Sequence, residues 1–231
     1  MERRLRYILT DIEGTTTSVA FVYETLFPYF KSEIHHFLQN SANRGLVSEH
    51  LAVIATEVGI PPKASSDTFA KILINWCNAD LKHGALKAIQ GMVWRQAYEQ
   101  GHIRGHVYAD VPPAFKRWKA AGLSLGIYSS GSVAAQQLLF GYSEYSDLRP
   151  YFSDYFDTGV GHKRDVQSYE NITAMLALPA STLLFLSDVT EELDAAAAAG
   201  FQTLQLLRPG TLAGDVHPIV RNFDEVDAYF G

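Results

Sequence analysis

Three short stretches of this 231-residue chain are apolar on both faces, and each stops at polar residues: RYILTDI (6–12), LSLGIYSSG (123–131) and TLLFLSDV (182–189). A strand with water on one side alternates apolar and polar residues. A strand without alternation is covered on both sides, as in a parallel sheet between helices. FQTLQLL (201–207) is a weaker fourth run. Helical patterns lie between the runs: VPPAFKRWKAAG (111–122), SVAAQQLLFG (132–141), SYENITAMLA (168–177) and ELDAAAAAG (192–200), the last stopping at Gly200 as at a glycine C-cap. This alternation predicts an α/β chain with a parallel sheet and helices on both faces.

The segment from 18 to 105 breaks the rhythm. It holds amphipathic helical stretches, among them VYETLFPYFKSEIHHFLQN, SEHLAVIATEVG, DTFAKILINWCNADLKHG and LKAIQGMVWRQAYEQG, and no convincing strand. A helical block placed directly after the first strand reads as an inserted cap. The expected division is a discontinuous core of residues 1–17 and 106–231 with an all-helical cap at 18–105. Trp76, Trp94 and Tyr98 are expected to be core aromatics of that cap, with lining of a pocket for an apolar substrate tail as the alternative.

Composition removes several function classes. A hydrophobic fraction of 47% supports a packed core rather than disorder. The net charge of -6 leaves no electrostatic footprint for nucleic acid. An anionic substrate therefore needs a local positive device. The single cysteine, Cys77, excludes an intramolecular disulfide and a Cys-rich zinc site, and it fits a reduced, cytoplasmic setting. The apolar run near the N-terminus is too short for a secretory signal, and no segment is long enough to span a bilayer. The expected partner is a small molecule, with neither nucleic acid nor membrane, and the expected state is a monomer.

In an open parallel sheet the ligand crevice lies beyond the strand C-terminal ends. Asp11 and Glu13, Ser129 and Ser130, Lys163, and Asp188 are read as falling at or just beyond such ends. Singly, each acid can be a helix cap or a turn residue. Together they suit phosphoryl transfer, in which an anionic ester must be neutralised before a carboxylate can attack. Asp11 and Asp188 can hold a magnesium ion, which prefers hard oxygen ligands. Lys163 adds a point charge, and Ser129 with the amides of the SSGS turn can bind phosphate at the following helix. Asp11 is then available to attack phosphorus. Glu13 is placed to protonate the leaving oxygen and later to activate water. Thr15, Thr16 and Thr17 can help bind phosphate or cap the inserted helices. His35 and His36 read as surface or core residues, His162 as a shaper of its loop, and Asp194 as part of a solvated helix face. Of Glu191 and Glu192, one can orient a metal-bound water.

DIEGTTTS, IYSSGS, GHK and LSDVTEE, in this order, resemble the four motifs of the haloacid-dehalogenase-like hydrolases, with Glu13 in place of the usual second Asp. LFPYF (26–30), ALKAIQGMVW (85–94), YADVPPAF (108–115) and YSSGSVAAQQLLFG (128–141) extend the resemblance to the enolase-phosphatases of methionine salvage, over nearly the whole chain. The resemblance implies a Rossmann-like core with a helical cap after the first strand. It implies Asp11 as nucleophile, Glu13 as second catalytic acid, and Asp11, Glu13 and Asp188 as ligands of one Mg2+ per subunit. Ser129, Ser130 and Lys163 match the family's substrate-binding residues. The implied reaction is magnesium-dependent enolisation and dephosphorylation of 2,3-diketo-5-methylthiopentyl 1-phosphate to the acireductone. Two rival readings stand beside it: another capped phosphatase or phosphomutase of the superfamily, and a receiver-like phospho-acceptor module, which is about half this length and carries no such insertion.

Overall fold

The computed structural model describes residues 5–229. Residues 1–4 and 230–231, which the expected core includes, lie outside them. In chain order, β1 (Tyr7–Thr10) leads into a helical insertion of α1 (Val19–Phe21), a π turn (Val22–Leu26), α2 (Phe27–Gln39), α3 (Arg44–Val58), α4 (Ser66–Asn78) and α5 (Gly84–Glu99). There follow α6 (Val111–Ala120), β2 (Ser124–Tyr128), α7 (Val133–Gly141), β3 (Asp154–Phe156), α8 (Val166–Leu176), β4 (Leu183–Ser187), α9 (Thr190–Ala198), β5 (Gln202–Leu206), β6 (Ile219–Val220) and α10 (Phe223–Val226). The six strands form one sheet in the order β3-β2-β1-β4-β5-β6, and every pair is parallel. This is the Rossmann-type order. The four strands expected from sequence are all present. The edge strands β3 and β6 are additions, with three and two residues, too short to show a periodicity.

Alternation along β1 distributes its side chains between two helical layers. Tyr7 and Leu9 pack with Tyr128, Phe185, Tyr169 and Ile172 of α8, and Leu193, Ala195 and Ala196 of α9. The small alanines let α9 approach the strands closely. α9 ends as the sequence indicated: Gly200 has φ +93, its N–H donates to the Ala197 carbonyl, and the Phe201 N–H donates to that of Ala196. Elsewhere in this unit Phe115 and Trp118 of α6 pack on Phe223 of α10, with ring centroids 6.1 and 5.1 Å apart.

The chain divides into two compact units, one comprising residues up to Val19 and from Arg104 onward, the other Ala20–Ile103. The helical unit has its own core of Phe30, Ile34, Phe37, Val47, Ile54, Phe69, Leu73, Cys77, Leu86, Ile89 and Val93. Cys77 is buried there as a small apolar residue with a free thiol. Trp76 and Trp94 are partly buried against this core, and Tyr98 is buried. The π turn has a covalent cause. Pro28 has no N–H to give the Glu24 carbonyl, and the Phe27 N–H reaches back five residues to Val22. Among the described residues no helix is long and apolar enough to cross a membrane.

One cross-sheet contact ties three strands together. The Tyr7 hydroxyl donates to Asp154 Oδ2 at 2.9 Å, from β1 to β3. It crosses β2 at Gly126, where an added Cβ would overlap the phenol oxygen. Burial, with the Asp154 carboxylate, holds the phenol well above its usual pKa, so it stays a donor. Gly126→Ala is expected to cost about 1–3 kcal/mol through overpacking, read as a lower urea midpoint at unchanged m-value.

Candidate active site

The connections leaving β1 and β4 run to opposite sides of the sheet, so a crevice opens between the C-terminal ends of these neighbours. Thr10 of β1 is in register with Ile127 of β2 and Leu186 of β4. The three strands therefore end in line. Asp11 follows β1 directly, Ser129 follows β2 and Asp188 follows β4. The Asp11 N–H still donates to the Leu186 carbonyl at 2.9 Å, which holds the acid to the sheet.

The loop after Asp11 closes on itself. The N–H groups of Thr15, Thr16 and Thr17 all donate to the Ile12 carbonyl at 2.9–3.1 Å. Thr16 Oγ1 reaches the Asp11 carbonyl at 3.3 Å, and Thr17 Oγ1 donates to the His106 carbonyl at 2.5 Å. These two hydroxyls thus fix the loop rather than cap a helix, whereas Thr15 Oγ1 is buried with no partner among the described residues.

Lys163 is buried, with Nζ 2.5 Å from Asp11 Oδ1 and 2.6 Å from Glu192 Oε2. No hydrogen bond among the described residues engages Asp11 Oδ2. Glu192 also accepts from Ser187 Oγ at 2.9 Å. Tyr169 donates to the Lys163 carbonyl at 2.7 Å, Ser168 to that of His162 at 2.7 Å, and Tyr128 to that of Gly161 at 2.9 Å. The lysine loop is thus pinned at three consecutive carbonyls, and His162 contributes its backbone while its side chain is exposed. Burial works against the ammonium, but Asp11 and then Glu192 reverse that and hold it protonated. Asp11 stands well above the usual carboxylate range. Burial raises it, Lys163 pulls it down, and Glu192, Glu13 and Asp188 push it up again.

Ser129 is fully buried; its Oγ accepts from the Gly131 N–H at 3.1 Å and lies 3.4 Å from Glu13 Oε2. The structure thus places Asp11, Glu13, Ser129, Lys163 and Asp188 together. Ser130, the second serine of the expected pair, is exposed. Two amides of the serine turn already have partners, since the Gly131 N–H meets Ser129 and the Val133 N–H meets Asp157 Oδ2. Asp194 does more than face water: it pairs with the nearly buried His217 at 3.0 Å.

Four carboxylates, on Asp11, Glu13, Asp188 and Glu192, thus act on one another around a single ammonium. Asp188 Oδ1 is buried with no hydrogen-bond partner among the described residues. Burial first, and then Glu192 and Glu13, raise the Asp188 carboxyl to about 6. A side chain on Gly14 (φ +75) would overlap the Asp188 carboxylate, so glycine keeps that space clear. Among the described residues no three acid, histidine or cysteine side chains close into a metal cage. Magnesium does not require one, because it is commonly held by one or two carboxylates together with waters and phosphate oxygens. An orphaned carboxylate oxygen in a cleft with excess negative charge fits a hard divalent cation.

A family model described as haloacid dehalogenase-like hydrolase matches residues 5–200. The chain belongs to this hydrolase family. As a haloacid-dehalogenase-like hydrolase it is 48% identical to Enolase-phosphatase E1 of Marinobacter nauticus over 97% of both chains. It is 48% identical to Enolase-phosphatase E1 of a Picosynechococcus species, covering 96% of this chain and 98% of the relative. Among solved structures it is similar to the UTR4 protein of Saccharomyces cerevisiae, with a TM-score of 0.83 and 37% identity, covering 95% of this chain and 99% of that one.

Glu192 is the site residue that sequence reasoning did not assign to its partner. It lies in the first turn of α9, just after the loop that carries Asp188.

The raised Asp188 carboxyl has a definite linkage sign. Between pH 3.8 and about 6 the native state holds the proton more tightly than the unfolded chain, so its contribution to stability falls as pH rises through that window. In chelator, Asp188→Asn should therefore gain stability relative to the parent on going from pH 4 to pH 7. Thermal melts of the pair check this, and a pH-independent difference contradicts it.

Proposed function

We propose that this hydrolase is a magnesium-dependent enolase-phosphatase. It converts 2,3-diketo-5-methylthiopentyl 1-phosphate to 1,2-dihydroxy-3-keto-5-methylthiopentene and phosphate, the acireductone step of methionine salvage. The α/β unit is the catalytic core and the helical unit its cap, and the enzyme acts as a cytoplasmic monomer on a small phosphate ester. The observation that carries this reading is the buried Asp11 held against Lys163 between the ends of β1 and β4, in a chain similar over nearly its whole length to enolase-phosphatases.

Asp11 and Asp188, with Glu13 as the third acid, are the residues that would hold Mg2+. When bound, the ion supplies positive charge that offsets both the phosphate and its anionic nucleophile. Lys163 fixes Asp11 through Oδ1, which leaves Oδ2 as the attacking oxygen. Asp11 Oδ2 forms a bond to phosphorus as the bond from phosphorus to the substrate oxygen breaks, giving an aspartyl phosphate. Glu13, which has taken up a proton from solvent after the enolisation, gives it to the departing oxygen. As a carboxylate it then takes one from the water that attacks phosphorus, releasing phosphate and restoring Asp11. Lys163 and the Ser129–Ser130 turn bind the transferring phosphoryl oxygens. In the preceding enolisation, Glu13 removes a proton from the phosphate-bearing carbon and returns it to the neighbouring carbonyl oxygen. Its extra methylene, relative to Asp, gives the reach for this isomerisation.

Magnesium-dependent phosphate release, followed together with the ultraviolet absorbance of the enediol, tests the assignment. The diketo ester should give both signals. Asp11→Asn should lower phosphate release by at least about a thousandfold, and Glu13→Gln should abolish enolisation and dephosphorylation together. Phosphate release from sugar phosphates with none from the diketo ester would mark another capped phosphatase. A long-lived phospho-Asp11 without turnover would mark a phospho-acceptor module.

A further inference from the structure

β5 and the residue two positions beyond its end lie outside all four motifs, yet they reach both acid-bearing loops. Gln205, on β5, is fully buried. Its Nε2 donates to the Asp188 carbonyl and to the Leu212 carbonyl, both at 2.9 Å, and its Oε1 accepts the Gly214 N–H at 2.8 Å. Arg208 is 6% exposed. Its Nε donates to the Thr15 carbonyl at 3.1 Å, in the loop that carries Glu13 and Gly14. Its two terminal nitrogens fork onto both oxygens of Asp110 at 3.0 and 2.8 Å, and Nη1 also meets the Arg221 carbonyl at 3.3 Å. The guanidinium lies 4.2 Å from the centre of the Tyr108 ring. Asp110 in turn accepts the Phe223 N–H at 2.7 Å, and the Tyr108 N–H donates to the Thr16 carbonyl at 3.0 Å.

The planar fork is held in one direction, because Asp110 takes its two ends while the Tyr108 and Phe223 rings lie 4.2 and 5.4 Å from its carbon. Nε therefore points at one place, the backbone of the β1 loop. Gln205 does the same for the β4 loop, through the Asp188 carbonyl. A buried carbonyl whose donor is lost must move to find another.

We infer that Arg208 and Gln205 are positioning residues that set the spacing of the β1 and β4 acid loops. Neither touches the reacting atoms. The inference rests on the proposed phosphatase reading, because it is the spacing of Asp11 and Glu13 from Asp188 that they control.

Two substitutions separate positioning from bulk stability. Arg208→Lys keeps a cation for Asp110 and gives up the Nε donor, and Gln205→Met keeps shape and gives up the side-chain hydrogen bonds to Asp188, Thr190, Leu212 and Gly214. Each variant is assayed with magnesium chloride and the diketo ester at a temperature where circular dichroism shows it folded, and is titrated with magnesium by calorimetry. The expected result is kcat lower by about 10–100-fold, in the range for small misplacements of catalytic groups, with KM within about twofold and magnesium affinity reduced. Folded variants with parental kcat and a merely lower melting temperature overturn the inference, as does a raised KM at unchanged kcat. If Arg208→Lys does not fold, Gln205→Met decides by the same criteria. If the parent protein binds magnesium but releases no phosphate, the proposed function fails on its own. Magnesium affinity then decides the positioning claim, weakened binding supporting it and unchanged binding overturning it. A parent that neither turns over nor binds magnesium overturns both.

Discussion

The arrangement depends on an imbalance of charge at the crevice between β1 and β4. One buried ammonium, Lys163, faces Asp11 and Glu192 at ion-pair distance, with Glu13 and Asp188 acting on the same centre. Burying several carboxylates with too few cations is costly, and the structure records that cost in the raised Asp11 and Asp188 carboxyls. A divalent cation would offset it. The same excess of negative charge that opposes folding of the empty site would favour binding of a cation there.

Everything around the crevice serves to hold that imbalance in place. Parallel register brings three strand ends into line, so that Asp11, Ser129 and Asp188 emerge side by side. The β1 loop is tied by its own carbonyls and by Thr16 and Thr17. Three hydroxyls pin the lysine loop. Glycine at position 14 leaves room for the Asp188 carboxylate, where any Cβ would intrude.

How much of this was legible in the sequence follows from what each feature requires. β1, β2 and β4 were readable because strands covered on both faces cannot hide their apolar runs, and the weaker β5 was marked by the alanine-rich helix before it. β3 and β6 were not, because an edge strand of two or three residues has no period to detect. The π turn escaped notice because Pro28 lies inside a convincing helical pattern. Asp11, Glu13, Ser129 and Asp188 could be found because chemistry at a strand end interrupts an apolar run. Glu192 was seen near the crevice but not on Lys163, since the pairing needs the orientation of α9 relative to the lysine loop. Gln205 and Arg208 gave no signal at all. Their partners on the acid loops are backbone carbonyls, which have no letter in a sequence.

On the proposed reading Asp11 is the nucleophile that attacks phosphorus, oriented by Lys163 in a cleft that a cation would neutralise. The most direct measurement of this is acid quench during turnover, borohydride reduction and mass spectrometry of the peptide containing residues 7–22. Reduction of an acyl phosphate at Asp11 converts that residue to homoserine, and the account predicts this change at Asp11 alone and only with magnesium present. An unmodified Asp11 under conditions of steady phosphate release, or modification at Glu13 or Asp188 instead, would contradict it.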